Sequence, residues 1–177
     1  MRILKRTGVA FAALSLGACA GAVGAMYPVP SAGTPTATIT IVKSPYLSLG
    51  GDSVGFYTYD NDACEDTDGS GGLGGLSMTS ANAIASAVRA DTRITIRAHS
   101  ARVAGTFGGT SITNCTNVIA LTPEQGRSYT LRQMLFPQQE TCEVEVVDDQ
   151  TGQTPPSLQR LPVVGGCEIA VWRRREG

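Results

Sequence analysis

"CTNVIALTPEQGRSYTL", Cys115 to Leu131, sets two strand-like runs on either side of Thr122-Pro123-Glu124-Gln125-Gly126. Proline and glycine here are turn chemistry, because proline presets φ and glycine accepts conformations that other residues resist. Tyr129 follows the glycine by three positions. That spacing is similar to that of a corner at which the chain leaves one sheet for another and a tyrosine hydroxyl returns to the turn backbone. The stretch therefore predicts two packed sheets.

Alternation on both sides of the corner agrees. "RITIRA" sets Ile94, Ile96 and Ala98 against Arg93, Thr95 and Arg97, and "TCEVEVVD" sets Cys142, Val144 and Val146 against Glu143 and Glu145. "TITIVK" places Ile39 and Ile41 on one face; "VGFYTY" from Val54 and "SYTLRQML" from Ser128 are two further strands; "CEIAVW" points Cys167, Ile169 and Val171 inward. "MTSANAIASAVRA", Met78 to Ala90, has helix formers and a Ser or Thr cap, but Ile84, Ser86 and Val88 alternate and run into "RITIRA", so a loop and then a strand is preferred. Short strands separated by Gly, Pro and Asp clusters imply an all-β sandwich or barrel, and the resemblance of the corner to that of Greek-key sandwiches makes an antiparallel Greek-key sandwich the expected fold. The apolar/polar alternation gives each sheet a wet outer face.

The N-terminus has a different logic. Arg2, Lys5 and Arg6 precede an apolar run from Gly8 to Leu16 and then small residues, the three-part pattern of a secretory signal. The run is too short to span a bilayer as a helix, which takes about 20 residues. Leu16-Gly17-Ala18-Cys19 resembles a bacterial lipobox, which implies cleavage before Cys19 and lipidation of its sulfur. Two or three acyl chains hold a protein to a membrane where one binds only marginally. Ala20, in place of the aspartate that commonly retains such proteins at the inner membrane, implies the outer membrane, facing the periplasm. Residues 20–36 lack periodicity and are rich in Gly, Ala, Pro and Thr, as a tether is, with a reach of roughly 20 Å. The expected organisation is a signal peptide over 1–18, lipidated Cys19 and flexible tether over 19–36, and a β-sandwich over 37–177.

Removing the leader leaves 11 basic and 15 acidic residues, a net charge of −4. That argues against a nucleic-acid partner, whose phosphates call for a basic face. Arg173 to Arg175 form one basic cluster, read as a solvated tail.

The stretch from about Val88 to Val147, with Cys115 before the Pro/Gly corner and Cys142 opening a C-x-V-x-V-x-D strand, resembles small bacterial lipoproteins with a transthyretin-like or carboxypeptidase-regulatory-like sandwich. Ala90-Asp91 departs from the Ala-Gly turn frequent in that group. The resemblance implies a fold and carries no active site.

Five cysteines leave one unpaired, and Cys19 takes that place as the anchor. The other four, in an exported chain with no CxxC knuckle, point to disulfides rather than zinc. Three pairings are open; Cys115–Cys142 with Cys64–Cys167 is favoured, because inward faces bring Cys142 and Cys167 to the core and Cys64 is left to pin its loop.

Sharper chemistry is sparse. "DNDACEDTDGSGG" offers Asp60, Asp62, Glu65, Asp66 and Asp68 at spacings a hard cation such as calcium accepts, yet the EF-hand template fails, so a surface loop without metal is expected. Gly69-x-Gly71-x-x-Gly74 follows an acidic run that would repel a pyrophosphate, so no nucleotide is expected. His99 is the single histidine and has no catalytic motif around it. The expectation is a non-enzymatic accessory module without cofactor that contacts another envelope protein through its loops or a sheet edge. The alternatives are a periplasmic inhibitor or small-ligand-binding domain using the loop over 60–75 and, last, a hydrolase around His99.

Overall fold

The computed structural model describes residues 26–45, 52–106, 109–136 and 141–168. The expected signal peptide over 1–18, Cys19 and Arg173 to Arg175 lie outside them. The described chain forms nine strands: β1 (Thr36–Val42), β2 (Ser53–Tyr59), β3 (Gly71–Ser77), β4 (Ala83–Arg89), β5 (Ile94–Thr106), β6 (Gly109–Leu121), β7 (Ser128–Phe136), β8 (Thr141–Asp148) and β9 (Gln159–Leu161). They assemble into sheets of order β4-β1-β7-β8 and β3-β2-β5-β6-β9.

The inward faces are those that alternation assigns. Ile39 and Ile41 of β1, Ile94, Ile96 and Ala98 of β5, Leu131 of β7 and Val144 and Val146 of β8 are all buried in one core between the sheets. In β7 the period-two pattern runs without a break through Tyr129, Leu131, Gln133 and Leu135, so a glutamine occupies a core position. The loop-then-strand reading of Met78 to Ala90 also describes β4, which pairs along its whole length with β1. A helix there would leave the edge of β1 without that partner.

One pairing departs from a purely antiparallel sheet, for β1 and β7 run parallel. The reason lies at the corner: Thr38 N–H donates to Arg127 O at 2.9 Å and Gly126 N–H to Thr36 O at 2.8 Å, so both strands start at the same end of the sandwich. Gly126 takes φ +74°, the left-handed conformation that a side chain resists.

Three further expectations are corrected. The folded body does not begin at residue 37 as expected, because Tyr27 is buried in the core cluster and its N–H donates to Gly72 O at 2.9 Å on β3. The body thus already includes Met26 and Tyr27. Cys167 lies in a 3-10 turn, Gly165–Cys167, rather than on the inward face of a strand; Ile169 and Val171 lie outside the described residues. Nor is the outer face of the β3-β2-β5-β6-β9 sheet wholly wet. Tyr59, Cys64, Val118 and Cys167 form a second buried cluster there, with Tyr57 and Leu161 packed against it. The disulfide Cys64–Cys167 staples this cover, while Cys115–Cys142 joins β6 to β8 across the sandwich.

Candidate functional site

The acidic loop between β2 and β3 is organised by its own side chains and its neighbours. Asn61 Oδ1 accepts the N–H groups of Ala63 and Glu65 at 3.1 and 3.0 Å, the Asx-turn geometry that lets asparagine order a tight bend. Asp62 receives Nε and Nη2 of Arg93 at 3.2 and 2.9 Å and the Thr95 hydroxyl at 2.7 Å. These bonds, Arg93 first, hold its carboxyl below the ordinary carboxylate value. Asp60 is lowered chiefly by hydrogen bonds from Thr67 and Asn61, and Asp66 bonds to the Tyr57 hydroxyl, whose pKa is raised by burial first and then by that bond. Asp60, Asp62 and Asp66 are thus turned to separate partners. Among the described residues, no group of three or more His, Cys, Asp or Glu side chains is placed to hold a metal ion.

The glycine fingerprint falls on the entry to β3, which is followed by a turn and β4 rather than a helix. Each of its first two glycines has a packing reason. A Cβ on Gly71 would stand 2.5 Å from the backbone of Tyr27, and one on Gly69 would stand 2.7 Å from Asp60 Oδ2.

His99 lies within β5, half-buried, opposite Gly55 on one side and Thr116 on the other. Its Nδ1 is 3.0 Å from Thr116 Oγ1, and no serine or carboxylate bonds to the ring among the described residues. Burial, and then the nearby Arg97 charge, hold its pKa below the ordinary histidine value, so the ring is neutral at pH 7. Among the described residues, neither a serine nucleophile nor an orienting carboxylate is hydrogen-bonded to it.

What the register does build is a groove of about 550 Å³ on the outer face of β3, β2 and β5. Two cross-strand rows make it: Gly72, Tyr57 and Arg97 form one, and Gly75, Gly55 and His99 the other. Three of these six positions are glycine, so the floor is backbone, and a Cβ on Gly55 would meet nothing within 4 Å. Glycine inside a strand weakens it, and a common reason for its presence is the close approach of a ligand or another backbone. Ile84 and the exposed Met26 give the groove an apolar rim at the sheet edge. The Arg97 guanidinium lies 5.7 Å from the Tyr57 ring and 5.3 Å from the Tyr59 ring, and its Nη1 reaches Gly166 O at 3.4 Å. Stacked this way, the cation is held over the groove with little rotamer freedom left to lose.

No protein-family model matches the chain, and no curated protein is found similar to it. The groove therefore stands on its own chemistry: an apolar trough with one oriented cation and one neutral imidazole. Sequence reasoning missed it. The only signal was the run of glycines within strand-forming segments, and a one-dimensional pattern does not say that Gly55 and Gly75 are neighbours.

Proposed function

We propose that this protein is a non-enzymatic accessory module of the bacterial cell envelope, anchored by lipid on Cys19 at the outer membrane and facing the periplasm, which binds a segment of another envelope protein. The reading rests on the groove floored by Gly55, Gly72 and Gly75. Its apolar walls suit a bulky apolar side chain, and Arg97 suits a carboxylate beside it, since a guanidinium pairs with carboxylates through a planar fork of donors. The two-sheet architecture, the tyrosine corner and the Cys115–Cys142 bridge support kinship with small lipoproteins bearing a transthyretin-like sandwich. The anchor rests on the Leu16 to Cys19 motif alone.

A second reading, a periplasmic domain for a small amphipathic carboxylate, is favoured by the groove's volume, which falls within the roughly 300–1,000 Å³ of small-molecule sites. This site uses the β3 glycines of the 60–75 segment rather than its carboxylates.

The test is cross-linking of the full-length protein in membranes, wild type against Gly55→Phe, whose ring would fill the groove. A partner captured by the wild type and lost from Gly55→Phe supports the protein-binding reading, and equal capture by both removes it. Thermal stabilisation of the purified wild type by small apolar carboxylates, absent from Gly55→Phe, would favour the second reading. Labelled palmitate incorporated as well by Cys19→Ser as by the wild type would sink the anchor.

A further inference from the structure

The end of the sandwich away from the tyrosine corner holds a small cavity of about 140 Å³. Ser100, Arg102, Thr113, Leu135 and Thr141 line it, and so does one sulfur-bearing residue, Cys115. The two halves of the Cys115–Cys142 disulfide have different surroundings. Cys115 is half-buried and faces this cavity, whereas Cys142 is buried.

Hydrogen bonding is equally one-sided. Gln133, at a core position of β7, donates Nε2–H to Cys142 Sγ at 3.0 Å. Asn117, on the facing strand β6, donates Nδ2–H to the same sulfur at 3.0 Å and also reaches Gln133 Oε1 at 3.3 Å. Among the described residues, no side chain donates to Cys115 Sγ. A disulfide sulfur is a poor hydrogen-bond acceptor and a thiolate a strong one, so donors placed on one sulfur lower the barrier to its departure. A buried glutamine spends side-chain entropy and a core position to do this.

We propose that Cys115–Cys142 is an exchange site for low-molecular-weight thiols, in which the incoming thiol attacks Cys115 and Cys142 is the leaving group. The thiolate attacks Cys115 Sγ from the cavity and a new S–S bond forms there. The Cys115–Cys142 bond breaks, its electron pair goes to Cys142 Sγ against the Asn117 and Gln133 N–H groups, and the proton lost by the incoming thiol ends on Cys142. A second thiol then attacks the mixed disulfide and leaves as the oxidised thiol dimer, with its proton passed to Cys115. Two small thiols are oxidised for each protein disulfide reduced. The Cys64–Cys167 bridge is spared, because both of its residues are buried, at 5% and 1% exposure, beneath the loop they staple.

The test treats the oxidised full-length protein with reduced glutathione under native conditions, followed by acid quench, alkylation and peptide mapping by mass spectrometry. The expected product carries glutathione on Cys115 and alkyl on Cys142, with Cys64–Cys167 intact. Glutathione chiefly on Cys142, prior opening of Cys64–Cys167, or reaction only in denaturant would each overturn the proposal. Gln133→Leu should slow formation of the adduct about tenfold, the worth of one lost charge-assisted hydrogen bond. Should that variant not fold, half-buried Asn117→Ala decides by a several-fold slowing. An unchanged rate in a folded variant would remove the role of the amides and with it the proposal.

Discussion

The hydroxyl of Tyr129 accepts the backbone N–H of Glu124 at 2.9 Å, so the first turn of β7 is tied back to the bend that delivers it. The ring is buried in the core, and the bond satisfies an amide that the bend takes out of any strand ladder. Tyr129→Phe keeps the ring and orphans that amide. It should lower stability by about 1 kcal/mol. The check is a urea titration in which the midpoint falls and the slope is unchanged.

Gly71 and Gly55, on neighbouring strands of one sheet, should respond oppositely to added side chains. A Cβ at Gly71 would drive into the backbone of Tyr27. Gly71→Ala should therefore cost about 1–3 kcal/mol, as overpacking does. Gly55 has open space above it and no positive φ, so Gly55→Val should be neutral or stabilising by up to about 1 kcal/mol, through lower unfolded-state entropy and higher strand propensity. Melting temperatures of the two variants test this. Destabilisation by Gly55→Val would show that the groove is not open.

Acidification should act through His99. Arg97 neighbours it on β5, while Gly55 of β2 and Thr116 of β6 flank it and carry no charge. Its folded pKa lies below the ordinary value, so as the pH drops below about 6.5 the unfolded chain takes up a proton before the folded one does. The native state therefore loses stability from about pH 6.5 down to the folded pKa, and no further from this group below it. His99→Gln should flatten that part of the stability curve and leave pH 8 unaffected. NMR titration of the ring should give a midpoint under 6.5, and one above it would contradict the sign.

Removal of the outer staple should cost more than removal of the inner bridge. Cys64 and Cys167 are 103 residues apart, and Cys115 and Cys142 27 apart. By the chain-entropy account the two bridges contribute about 4.7 and 3.5 kcal/mol. The double variant Cys64→Ser/Cys167→Ser should also speed proteolysis in the acidic loop, where Cys64 holds a left-handed φ of 55°. Denaturant curves for each double variant give the order, and the reverse order would point to residual structure in the unfolded chain.

The sequence alone determined the local facts of this protein. A period of two marks which face of β1, β5, β7 and β8 is buried, because successive side chains of a strand point to opposite sides whatever the strand pairs with. The corner at Gly126 and Tyr129 was legible for the same reason, since turn chemistry acts within a few residues. The pairing of Cys64 with Cys167 was reached, but by placing Cys167 on the inward face of a strand: it lies in a 3-10 turn and closes a cover on the outside of a sheet instead of crossing the core. Only the tertiary structure decided that β1 lies parallel to β7, that Gly55 and Gly75 meet to floor a groove, and that Asn117 and Gln133 converge on one sulfur. Each of these depends on the register between segments far apart in the chain, and register is set by how the whole core packs rather than by the pattern of any one strand.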